Sequence, residues 1–111
     1  MAVAKPEIDM HLVQLLLPVQ DSEGRPFNRV LFDDLAAELT ARFGGLTAYT
    51  RSPATGLWEE QPGHTVRDQV VVYEVMTDGL DAAWWAAFRQ RLEVQFDQDE
   101  LVVRAQEIRR L

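Results

Sequence analysis

Cysteine is absent, which excludes a disulfide framework, a thiolate nucleophile and a Cys-ligated metal. Histidine comes twice, His11 and His64, far apart and with no carboxylate at a ligand spacing. No metal site is expected from that pattern. Serine comes only at Ser22 and Ser52, both in turn-forming contexts without a nearby base, so a serine nucleophile is not expected. No apolar run approaches the ~20 residues that cross a bilayer. The opening MAVAKPEID lacks a long apolar stretch, which predicts no signal peptide and a cytoplasmic protein. Positive charge is also scarce: 11 Lys and Arg stand against 18 Asp and Glu, a net charge of −7. Phosphate backbones and anionic membranes need concentrated basic residues, so neither nucleic acid nor a membrane is expected as a partner. Gly44-Gly45 ends a helical pattern rather than preceding one, so it is no phosphate cradle. The DQDE run at 97–100 resembles the start of a calcium loop but lacks the glycine and the distal glutamate, and is expected to be a polar turn. No cofactor is implied.

What is present is a pattern of two long apolar runs. Gln69–Met76 (QVVVYEVM) and Met10–Leu17 (MHLVQLLL) are β-branched or aliphatic almost throughout and predict inner strands of a sheet. Around them, Asn28 can cap a helix running to Phe43, ended by Gly44-Gly45. LTAYTR (46–51) alternates like a strand, SPATG (52–56) kinks it at Pro53, LWEE (57–60) resumes it, and QPGHT (61–65) is a loop. A second helix runs from about Ala82 to Phe96, and LVVRAQE (101–107) is the last strand. Counted from Asn28 and Asp81, both helices carry apolar residues at the same offsets: Leu35, Leu39, Phe43 and Phe88, Leu92, Phe96. Phe27 and Leu80 stand where each can staple onto the fourth helical residue, Phe32 or Trp85. The order β-α-β-β-α-β predicts an α+β, ferredoxin-like sandwich. Its four antiparallel strands run in the order 4-1-3-2, with both helices on one face. Residues 1–9 are expected to form a flexible lead-in and 10–111 the single domain.

Alternation then divides the sheet into two faces. His11, Val13, Leu15, Leu17, Leu46, Ala48, Thr50, Val71, Tyr73, Val75, Leu101, Val103 and Ala105 are assigned to the helix side. Tyr73 on that side, with the acidic balance, argues against an RNA-reading sheet. The opposite face mixes apolar Leu12, Leu16, Val70, Val72 and Val102 with polar Gln14, Tyr49, Arg51, Glu74 and Arg104. It is too apolar to stay wet without a reason. Covering by a second subunit, as a homodimer, is one solution; enclosing a small ligand is another. Gln14 is expected to lie between Glu74 and Arg104. Trp84 either packs on the first helix or anchors a partner, and Trp58 on the hairpin can reach a twin subunit. The interface candidates are thus Leu12, Leu16, Trp58, Val70, Val72 and Trp84. The ligand candidates are Gln14, Tyr49, Arg51, Glu74 and Arg104.

The segments ELTARFGGLTAYTRSPATGLW (38–58), VVYEVMTDGLDAAWW (71–85) and FDQDELVVRAQ (96–106) resemble a family of short bacterial hypothetical proteins without an assigned activity. The resemblance implies the same fold and a bacterial cytoplasmic setting, and transfers no catalytic residue. The architecture is also similar to the dimeric α+β barrel superfamily, some of whose members are cofactor-independent monooxygenases or isomerases. The leading expectation is therefore a non-catalytic homodimeric binding module packed through its open sheet face. The alternative is a small cofactor-independent enzyme with a sheet-face cavity, in which Glu74 is the base and an arginine holds an anionic substrate.

Overall fold

The computed structural model describes residues 10–111, with the backbone alone at 51–54, 58 and 66–68. The expected lead-in at 1–9 lies outside the described residues. The elements are β1 (Met10–Pro18), α1 (Arg29–Phe43), β2 (Thr47–Gln61), β3 (His64–Asp78), α2 (Ala82–Gln95) and β4 (Val102–Ile108). They form one antiparallel sheet in the order β2-β3-β1-β4, the expected ferredoxin-like arrangement. The two most apolar runs occupy its centre, where both neighbours are strands and both faces need cover.

Local chemistry sets the helix ends. Asn28 Oδ1 accepts from the Val30 N–H at 3.0 Å, and Gly44 closes α1 at φ 81°. Asp81 Oδ1 accepts from the Trp84 N–H at 3.0 Å and opens α2. Leu35 and Leu39 of α1, with Trp85, Phe88 and Leu92 of α2, pack onto Val13, Leu15, Leu17, Val71, Tyr73 and Val75. Both helices thus lie on one face, as the shared apolar offsets require. Tyr73 is buried there, and loss of water around its phenol raises its pKa, with Asp33 adding to the effect. The helices reach the central strands rather than the β2 edge, so Ala48 and Thr50 are exposed despite their parity.

The kink expected at Pro53 is a register shift between Tyr49 and Ala54 within a β2 that is continuous from Thr47 to Gln61. Two local expectations need correction. The loop expected at 61–65 shrinks to the turn at Pro62-Gly63, with Gln61 paired to His64 and Gly63 at φ 78°. Proline presets the turn's first central residue and glycine alone takes the left-handed second one cheaply, so β3 begins at His64 rather than Gln69. Leu80, finally, does not staple α2; it is 39 % exposed. Gly79 turns the chain just before it at φ 73°, its carbonyl accepting from the Thr77 hydroxyl. Phe27 is half-buried, and its ring meets Phe96 edge-on at 5.3 Å.

One polar clamp ties α2 to the last strand's approach. Glu93 accepts from the Leu101 N–H at 2.9 Å and from Arg89 at 2.8 Å. The Leu101 N–H, then Arg89, hold its carboxyl below the usual range against the opposing pull of desolvation. A depressed folded pKa adds stability above the unfolded carboxylate's pKa, and that stability disappears as pH falls through the folded value. Glu93→Gln is therefore expected to lower Tm at neutral pH. The difference from the parent should shrink as pH falls below the ordinary carboxylate range and the folded Glu93 takes up its proton. Thermal melts across that range check it; a constant difference would contradict it.

Candidate functional site

Antiparallel register sets the residues of the open face in rows across the strands. Thr47 pairs with Glu74, Glu74 with Gln14, and Gln14 with Arg104, so one row crosses all four strands. The next row is Tyr49, Val72, Leu16 and Val102. Met76, Leu12 and Gln106 form the row on the other side. A polar line therefore runs through the middle of an otherwise apolar face.

Three members of the line are bonded in succession, and Tyr49 joins them from the next row. Arg104 Nε donates to Gln14 Oε1 at 2.9 Å, and Gln14 Nε2 donates to Glu74 Oε1 at 2.6 Å. The Tyr49 hydroxyl donates to Glu74 Oε2 at 3.3 Å. Only one orientation of the Gln14 amide satisfies this chain, with its oxygen toward the guanidinium and its nitrogen toward the carboxylate. Gln14 keeps opposite charges apart that otherwise would neutralise each other. Among the described residues Arg104 makes this one side-chain bond, through Nε, which leaves its two Nη nitrogens with donors to offer. The arrangement thus presents an anion-binding fork and a carboxylate a short distance apart on an apolar floor. A zwitterionic or mixed-charge small molecule fits that pattern.

Four of the five ligand candidates, Gln14, Tyr49, Glu74 and Arg104, come together. The Arg51 and Trp58 side chains lie outside the described residues. Leu12, Leu16 and Val72 are half-buried on the same face. Val70, by contrast, is only 4 % exposed and stands outside the main core cluster. It pairs with Pro18 and, at the β2 register shift, with Ala54, so its own chain already removes it from any interface. Trp84 sits on the opposite, helical side. Its ring stacks on Phe88 at 4.8 Å, meets Phe43 of α1 edge-on at 5.5 Å and lies 4.0 Å beneath the Arg42 guanidinium. It packs between the helices and lines a shallow groove with Glu38, Arg42 and Arg91. Sequence reasoning did not single out Thr47, which completes the polar row; its parity was the available signal. Of the histidines, His11 is buried under the helices and His64 opens β3 beside Glu60, 3.7 Å away. Among the described residues no group of three or more His, Asp or Glu gathers as metal ligands, and no helix is long and apolar enough to cross a membrane.

Fold and site together define a ferredoxin-like α+β layer with a bonded polar row on its uncovered face. Solved structures of a phage SAM lyase are similar to this chain. The complex with S-methyl-5′-thioadenosine matches with a TM-score of 0.58 and 16 % identity, over 96 % of this chain and 88 % of that one. The apo state matches at 0.58 and 15 %, over 96 % and 87 %. No protein-family model matches the chain, and no curated protein does. At these identities the likeness is one of fold. It nevertheless overturns the expectation of a non-catalytic binding module: nearly the whole length of this layer superposes on an enzyme with a small molecule bound. The catalytic alternative fits better.

Proposed function

We propose that this chain is a small cofactor-independent enzyme that breaks a carbon–sulfur bond of a sulfonium nucleoside of the S-adenosylmethionine class on its open sheet face. The observation that carries this is the Arg104–Gln14–Glu74–Tyr49 row. Such a substrate has a carboxylate, an ammonium, a cationic sulfur and a flat base. Arg104 suits the carboxylate, Glu74 the ammonium, and the apolar floor of Leu16, Val72 and Val102 the nucleoside. The fold likeness to a SAM lyase supports the same choice.

The chemistry asks for placement above all. A sulfonium is already a good leaving group. The substrate's own carboxylate oxygen forms a bond to Cγ, the Cγ–sulfur bond breaks, and the electron pair departs with sulfur as a neutral thioether, S-methyl-5′-thioadenosine. Atoms and charge balance with no added reactant, and the four-carbon fragment leaves as a lactone. Holding nucleophile and carbon in line is where an enzyme contributes most to such a step. A carboxylate pressed on the sulfur would hold the charged ground state more than the transition state, in which that charge is fading. Glu74 therefore acts on the ammonium, orienting the chain that Arg104 holds at its other end. This replaces the general-base role expected from sequence, because the carbon beside Cγ is too weakly acidic for a carboxylate to deprotonate.

The test is direct incubation of purified protein with S-adenosylmethionine, with chromatographic detection of the thioether. Release above the buffer blank is expected, and none would overturn the reading. Arg104→Ala removes charged hydrogen bonds of about 1.5–3 kcal/mol each. KM is expected to rise by roughly tenfold or more, with a smaller fall in kcat.

A further inference from the structure

The β2–β3 pair runs on well beyond the four-stranded part of the sheet. β1 pairs with β3 only from Val70 to Asp78, yet β3 begins at His64 and β2 runs to Gln61. Beyond Gln69 the two strands continue as a ribbon, paired with each other and closed by the Pro62-Gly63 turn. A lone two-stranded ribbon is marginal in water. This one carries Leu57 at 59 % exposure, and its register sets Trp58 opposite Val66.

The same molecule has a face in need of cover. Tyr49 is 52 % exposed, and Met76 and Val102 are exposed too. Charged recognition of a small ligand gains strength when water is excluded, and one chain does not exclude it here. We infer that the ribbon of a second copy of this chain lies across the open face and closes the Arg104–Gln14–Glu74–Tyr49 row, so that each site is completed by a neighbour. The dimensions agree. Glu74 lies four residues inward from Val70, about 14 Å at strand spacing, and the ribbon is about 22 Å long. Laid over the face from its end, it passes the row. A pair or closed ring of copies satisfies every ribbon and every face at once.

This inference rests on the catalytic reading only for its activity arm; the mass measurement stands without it. Light scattering on the full chain at micromolar concentration is expected to show a discrete oligomer, and a monomer would overturn the inference. Leu57→Glu, at an exposed position, is expected to shift the oligomer to monomer with unchanged circular dichroism. A second variant that replaces 57–67 by an Asn-Gly turn, joining the paired Gly56 and Asp68, should do the same, and two variants that both retain the parent mass would overturn the inference. If the chain cleaves S-adenosylmethionine, Leu57→Glu loses most of that activity. Mixing it with Glu74→Gln restores activity that neither shows alone, since the second variant lends its ribbon to the first variant's intact row. Failure to restore activity in a mixture shown to co-assemble would overturn the shared site. An oligomer that releases no thioether would leave the ribbon in place and refute the catalytic reading alone.

Discussion

Glu74→Gln is expected to reduce kcat/KM for thioether release by roughly 10²-fold or more while leaving the fold intact. The two parts of that expectation have separate causes. The glutamine is isosteric, and its amide oxygen still accepts from Gln14 Nε2, 2.6 Å from the present carboxylate oxygen. Its amide nitrogen can donate to the Tyr49 hydroxyl, which turns from donor to acceptor. No polar group is stranded, so stability should change by no more than about 0.5 kcal/mol. What disappears is the negative charge. A charged hydrogen bond contributes about 1.5–3 kcal/mol, and a misplaced substrate loses roughly 10²-fold in rate. Tyr49→Phe removes a longer, neutral donor and is expected to cost far less. Steady-state kinetics with thermal melts on the same preparations separates the outcomes. An unchanged kcat/KM in Glu74→Gln would remove Glu74 from the site, and a large fall in Tm would mean the row is structural.

The row was legible because β parity is strict. Gln14, Glu74 and Arg104 interrupt apolar runs at the same phase, and once their strands are ordered they must share a face. The central placement of β1 and β3 followed from their aliphatic content in the same way. Register was legible only where polar residues marked it: Gln14 was expected between Glu74 and Arg104, and it pairs with both. Along the aliphatic stretches and the β2 edge, short-range pattern does not say how the strands slide. The hairpin was misjudged for a different reason. SPATG and QPGHT hold the residues that open loops, yet hydrogen bonding from a facing strand overrides that preference over most of their length. Only Pro62-Gly63 keeps its turn. Function was least legible: the site draws single residues from positions 14, 47, 49, 74 and 104, each ordinary in its own strand, and no local motif marks them. Trp84 shows the converse, a conspicuous residue whose neighbours Phe43, Phe88 and Arg42 account for it.

Phe96→Ala is expected to destabilise the protein by about 3–5 kcal/mol, the largest stability loss of any single change considered. Phe96 is fully buried at the C-terminal end of α2. Its ring meets Phe27 at 5.3 Å and Phe32 at 5.4 Å, both edge-on, so it joins the approach to α1, α1 itself and the end of α2 in one contact. Truncation leaves a cavity walled by three separate segments. Two of them are anchored on the sheet through Leu35 and Leu92, which limits collapse into the gap. Edge-to-face pairing adds about 0.5–1.5 kcal/mol per pair beyond area, and both pairs vanish together. Against a total stability of about 5–15 kcal/mol for a domain, such a loss leaves a substantial unfolded fraction near 37 °C. Phe96→Leu keeps most of the volume while removing the ring, and should lose markedly less. Chemical denaturation of the three proteins measures the difference. Equal losses for alanine and leucine would mean that ring geometry, rather than filled volume, holds this end of the helical layer to the sheet.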